Sequence, residues 1–119
     1  MKTEIIYFDN IKKTIIFIIG KNAQDNFNII DKAEENDIWF HVENDSSCHV
    51  IAKLSQQLLE LNKKELRTII KKGSLFCKEN TPKYKKEKKV SIIYTFCKNV
   101  KKTNIIGCVE TQNTKQIYI

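Results

Sequence analysis

What this chain has little of narrows the field. It contains one proline, three glycines, one methionine and one tryptophan. So little proline and glycine, beside 41% hydrophobic residues, excludes a disordered or low-complexity chain. No apolar run approaches the roughly 18–20 residues that span a bilayer. The longest candidate, Thr14–Ile19, is held between Lys12-Lys13 and Gly20-Lys21, so it reads as a strand and no membrane role is expected. The four cysteines, Cys48, Cys77, Cys97 and Cys108, make no C-x-x-C pair, and no secretory signal precedes them. Reduced, mostly buried thiols in a cytoplasmic protein fit this pattern. Arginine is almost absent, with Arg67 its one occurrence, so base-specific readout by bidentate guanidinium groups is not expected. There is no P-loop, G-x-G-x-x-G or G-x-S-x-G motif.

What is there is lysine. Lys and Arg number 21 against 14 Asp and Glu, giving a formal charge of +7 on 119 residues. That length suits one domain, residues 1–119. The excess favours a polyanionic partner, or else is a solvated lysine-rich surface.

The pattern along the chain reads as α+β. Glu4–Phe8 and Thr14–Ile19 flank an Asp9-Asn10 turn and predict an antiparallel hairpin, the second strand central in its sheet. Asn22 caps a helix with Ala23, Phe27 and Ile30 at helical spacing. Ile38–Glu43 and Cys48–Leu54 predict a second hairpin around Asn44–Ser47. Asn62 and Glu65 form a capping box, opening a helix whose apolar stripe is Leu66, Ile69, Ile70 and Phe76 or Cys77. Gly73 is expected to interrupt it, and Asn80-Thr81-Pro82 to stop it. Val90–Phe96 is a strand, and Cys108–Thr111 with Gln116–Ile119 reads as a last pair. The expected architecture is a mainly antiparallel sheet with two helices packed on one face.

The rare residues gather on the second hairpin. Trp39, His41 and Glu43 share one strand face, and Ile38, Phe40 and Val42 the other. A short loop sets His41 opposite His49. Two imidazoles and an indole on one face could stack on bases and donate to phosphates; equally, Trp39 could pack under a helix and the histidines satisfy backbone groups. A zinc site or Cys–His enzyme built on His41, Cys48 and His49 is disfavoured. Adjacent residues 48 and 49 point to opposite faces, and Cys48 lacks a neighbouring cation. No catalytic residue, metal or cofactor is therefore assigned. The basic segments are Lys83, Lys85, Lys86, Lys88 and Lys89 around Tyr84, and Lys98, Lys101 and Lys102. A strand between them would separate the two clusters by about 20 Å, a span of several phosphates.

Five motifs occur in order: Gly20-Lys-Asn-Ala-Gln-Asp-Asn26, Asp37-Ile-Trp-Phe-His-Val42, Ser47-Cys-His-Val50, Tyr94-Thr-Phe-Cys-Lys-Asn-Val-Lys-Lys102 and Gly107-Cys-Val109. The ensemble resembles the NFACT-R domain of ribosome quality-control proteins, in particular the stand-alone branch represented by coiled-coil domain-containing protein 25. The resemblance covers nearly the whole chain. It implies a non-enzymatic module that binds RNA or ribosomal surfaces, in quality control or in ribosome hibernation. A DNA-binding or sensing module is the alternative, and no small-molecule substrate is implied. Carried over, the surface comprises Lys21, Asn22, His41, Ser47, His49, Lys98, Lys101 and Lys102, with the Lys83–Lys89 loop beside it and Trp39 and Tyr84 as stacking candidates. Trp39 and Phe40 are otherwise the structural joint. The sequence departs from the family in placing Ser46-Ser47-Cys48-His49 where Gly usually precedes Ser-His, and Thr68-Ile69-Ile70 where the second helix usually has small residues. It shows no stretch like the tRNA-recruiting N-terminal domain and no long coiled coil, so tailing of nascent chains and tethering are not carried over.

Overall fold

The computed structural model describes residues 1–54 and 60–119. Strands β1 (Lys2–Phe8) and β2 (Lys13–Ile19) form the first hairpin, with Lys12 taking a left-handed φ of 53° in its turn. Helix α1 (Ala23–Asp31) follows, then β3 (Ile38–Val42), β4 (Val50–Lys53) and helix α2 (Lys63–Glu79). Next come β5 (Ser91–Phe96), β6 (Val100–Lys102), β7 (Val109–Thr111) and β8 (Lys115–Tyr118). Six strands form one sheet in the order β1-β2-β4-β3-β5-β8, with every pairing antiparallel. The fold class is α+β.

Both helices start where the sequence places them. Asn22 Oδ1 accepts from the Asp25 N–H at 2.8 Å. Asn62 and Glu65 form the reciprocal capping box, satisfying two amides that the first helical turn leaves without partners. The stop at Asn80 also holds. Gly73 does not interrupt α2, which runs on to Glu79. Gly73 lies under Phe40, and a Cβ there would come within 2.3 Å of the ring. Its role is close approach of helix to sheet. Gly73→Ala is expected to lose about 1–3 kcal/mol to overpacking, more than the ~1 kcal/mol alanine gains as a helix former. Urea denaturation measures the net loss.

The two helices take opposite faces of the sheet, which corrects the expectation of one shared face. Ile38, Phe40, Val50 and Ala52 pack with Phe17, Ile69 and Cys77 on the α2 side. Trp39 and Ile51 pack with Ile29 of α1 and Val100 of β6 on the other. Strand alternation requires the split, since neighbouring residues on β3 point to opposite sides. A helix of nine residues covers only part of its face; Val100 of β6 and Val109 of β7 extend the cover, while Ile5, Tyr7 and Ile16 on β1 and β2 stay exposed. The last two strands therefore do not pair with each other: β7 pairs with β6 in a separate ribbon, and β8 with β5. Within α1 the buried positions are Asn26 and Ile29, while Phe27 and Ile30 are half-buried and Ala23 is exposed.

Candidate nucleic-acid interface

Four segments distant in sequence converge at the end of the sheet where β3 leaves and β4 returns. Lys21, Asn22, Ala23 and Asn26 come from the start of α1. His41 and residues 45–49 come from the β3–β4 hairpin, residues 80–83 from the end of α2, and residues 106–109 from the β6–β7 loop. Together they line an open cleft of about 690 Å³. Gly107, at φ +84°, lets the β6–β7 loop approach α1; a Cβ there would meet Ala23 at 2.8 Å.

The hairpin fixes the cleft floor. Phe40 pairs with Val50, so His41 and His49 stand opposite each other, ring centroids 4.8 Å apart and perpendicular. The Trp39 indole N–H donates to His49 Nδ1 at 3.1 Å. His41 Nδ1 lies 2.6 Å from the Val42 carbonyl oxygen, and its ring stacks on Trp39 at 5.4 Å. Ser47 Oγ accepts from the Val42 N–H and donates to the Cys48 carbonyl, closing the loop. Asn26 Oδ1 accepts from the His49 N–H, tying the hairpin to α1. Asp45 accepts from Lys83 Nζ at 2.7 Å and the Tyr84 hydroxyl at 2.5 Å, tying it to the basic loop. Those two hydrogen bonds bring the Asp45 carboxyl down to about 2.

Burial holds both imidazoles below their ordinary titration range. His49 is pushed down to about 3, by burial first and the neighbouring His41 second. His41 is lowered by burial, against the raising effects of the Val42 carbonyl and Asp45. An unfolded histidine takes up its proton near pH 6.5, whereas the folded chain resists doing so. The stability this contributes is therefore complete above about pH 6.5 and falls as pH drops toward 3. At about 1.4 kcal/mol per pH unit, His49 should make the protein about 2 kcal/mol less stable at pH 5 than at pH 7. Urea melts across that range check this, and His49→Gln should flatten the slope.

The structure gathers six of the expected site residues in the cleft: Lys21, Asn22, His41, Ser47, His49 and Lys83. The others lie elsewhere. Lys85, Lys86, Lys88 and Lys89 are exposed on the loop entering β5, and Lys98 and Lys101 are exposed beyond its other end. Lys102 pairs with Asp31 at 2.5 Å and lies over the Phe27 ring, both ends of the pair remaining solvent-exposed. Lys98 lies over Phe96, beside a smaller groove that Tyr94 and Lys115 also line. The stacking expectation for Trp39 is corrected: at 1% exposed, its indole offers no face to a base. Tyr84 is half-buried, with Lys83 over its ring.

The sequence pattern of the NFACT protein RNA binding domain matches residues 4–111. The chain belongs to the NFACT-R family. A coiled-coil domain-containing protein 25 homolog of Dictyostelium discoideum is 31% identical over 99 residues, covering 83% of this chain and 47% of the relative. The C-terminal part of the fibronectin/fibrinogen-binding protein from Streptococcus suis superposes with a TM-score of 0.76 at 20% identity, over 100% of this chain and 45% of that one. The NFACT-R chain thus spans about half the length of each, and the second shares its fold.

Several residues that build the site escaped the sequence reading. Asp37, the first residue of the Asp-x-Trp-Phe-His motif, is fully buried. Its carboxylate accepts from the Glu34 and Leu54 N–H groups and from Lys53 Nζ. Its place at the head of the motif was the available signal. Asp45 and Thr81 were also missed, since nothing local marks their partners Lys83, Tyr84 and Cys48. Cys48 and Cys77 meet between hairpin and α2, each thiol donating to the other's carbonyl at 3.4 and 3.6 Å. The hydrogen bond to Cys48, with burial, raises the Cys77 thiol well above its usual range. Among the described residues, no group of three or more His, Cys, Asp or Glu could hold a metal ion, and no helix is long and apolar enough to cross a membrane.

Proposed function

We propose that this protein is a non-enzymatic RNA-binding module of the cytoplasm that docks on the ribosome, through rRNA or at a tRNA-site cleft, in quality control or in the dormancy of idle ribosomes. The observation that carries the reading is the distribution of unanswered positive charge. Among the described residues, Lys85, Lys86, Lys88, Lys89, Lys98 and Lys101 have no ion-pair partner, and all are exposed. They flank β5 at its two ends, so one rigid strand spaces two sets of phosphate contacts. Lysine neutralises phosphate as a point charge, giving affinity without sequence preference. Family membership supports RNA as the polyanion.

Co-sedimentation with ribosomes in a sucrose gradient tests the reading. Binding is expected at low salt and should fall steeply as salt rises. Reversing Lys98 and Lys101 together, by Lys98→Glu and Lys101→Glu, should weaken binding and reduce the slope of log K against log salt by about 2. No co-sedimentation at low salt would overturn the ribosomal assignment. Equal competition by duplex DNA and rRNA would move the reading to a DNA-binding module.

A further inference from the structure

We infer that the cleft floored by the β3–β4 hairpin receives one unpaired nucleotide of the bound RNA, its base edge meeting the half-buried His41. The inference rests on the RNA-binding reading and adds a ligand to a site that lysine charge does not explain.

The partners of the two rings fix where their protons sit. An indole N–H can only donate, so His49 Nδ1, which faces Trp39 Nε1 at 3.1 Å, carries no proton. A neutral His49 then holds its proton on Nε2. Among the described residues, Nε2 has no hydrogen-bond partner, although His49 is 2% exposed and lines the cleft. The opposite holds for His41. Its Nδ1 lies 2.6 Å from a carbonyl oxygen and must carry the proton, leaving Nε2 as an acceptor, again without a partner among the described residues. The cleft floor therefore presents one fixed acceptor, on half-buried His41, backed by the buried His49 ring.

Buried polar groups are nearly always satisfied, and an acceptor at the cleft floor complements the N–H donor that every nucleobase carries on its edge. A single-stranded base is the form of RNA that offers such an edge. A cleft of about 690 Å³ falls in the range of small-molecule sites. Duplex RNA, whose base edges are already paired, cannot enter it. Lys21 and Asn22 stand at the mouth, exposed, at the start of α1, where Lys21 offers a cation to a phosphate of the same nucleotide, while the first turn of α1 is occupied by the Asn22 cap and by Asp25, whose carboxylate is paired with the Met1 amino group. Asp45, also in the cleft, is already paired with Lys83 and does not oppose that charge.

Fluorescence anisotropy with three labelled RNA duplexes tests the inference: one blunt, one with a single-nucleotide overhang, and one with an abasic overhang. The overhang is expected to tighten binding about tenfold over the blunt duplex, and the abasic overhang to lose that gain. In His41→Leu and in Ser46→Leu, the difference between overhang and blunt probes should collapse. Ser46 is exposed at the cleft rim, so the second variant narrows the entrance without touching the core. Equal binding of all three duplexes by the unaltered protein would overturn the pocket while leaving RNA binding in place. No binding of any duplex, or of ribosomal RNA, would overturn both. A tenfold gain that survives in both variants would also overturn the assignment to this cleft.

Discussion

Trp39→Ala should lower the unfolding free energy by about 3–5 kcal/mol. That is a large share of the 5–15 kcal/mol typical of a small fold. Trp39 is 1% exposed and packs against Ile29, Ile51 and Val100, so its removal opens a cavity between sheet and α1. It also leaves His49 Nδ1 without its donor. Trp39→Phe separates the two effects. Phenylalanine keeps most of the volume and forfeits the hydrogen bond, and should cost about 1–3 kcal/mol for the unsatisfied acceptor. Urea denaturation measures both losses. RNA binding by the folded fraction of Trp39→Phe should stay within a few-fold of the unaltered protein. A binding loss much larger than the stability loss would show that the indole reaches RNA, contrary to its burial here.

The second large effect is at Asp37. Asp37→Ala should cost about 3–5 kcal/mol, the penalty for stripping one partner from a buried ion pair. Among the described residues the carboxylate accepts from Glu34 N–H at 2.8 Å, Leu54 N–H at 2.9 Å and Lys53 Nζ at 2.5 Å. Two are backbone amides on either side of the strand pair, so the residue closes both the turn before β3 and the end of β4. Asp37→Asn is expected to recover little, because the amide nitrogen would face a donor. Lys53→Met offers a contrast: it removes the cation but leaves both amide bonds, and should cost less than Asp37→Ala. Thermal melts of the three variants give the order. If Asp37→Asn were near neutral, the charge on Asp37 would be irrelevant and the lysine pair incidental.

Much of this molecule follows from local pattern. The caps at Asn22 and Asn62 are short-range hydrogen bonds between a side chain and an amide three residues on, and short-range bonds are visible in a linear sequence. The placement of His41 opposite His49 follows from strand alternation and loop length. The Gly73 reading failed for the same kind of reason. A glycine in a helix looks like a break, and only the Phe40 ring lying across the helix explains it. The pairing of β7 with β6 instead of β8 was hidden likewise. Adjacent strands usually pair, but the uncovered sheet face beside the short α1 needed a partner and took the β6–β7 ribbon.

The sequence by itself determined the α+β class, both helix starts, the hairpin that carries Trp39, His41 and His49, and the kinship with the NFACT-R family. Each rests on periodicity, capping or motif order, which act within a few residues or survive as a written string. Only the tertiary structure decided that the helices take opposite faces, that Trp39 is buried, and that Lys102 meets Asp31. It also decided that residues 21–26, 41–49, 80–83 and 106–109 share one cleft. Those outcomes depend on which surfaces must be buried against each other across the whole chain, and that competition has no local signature.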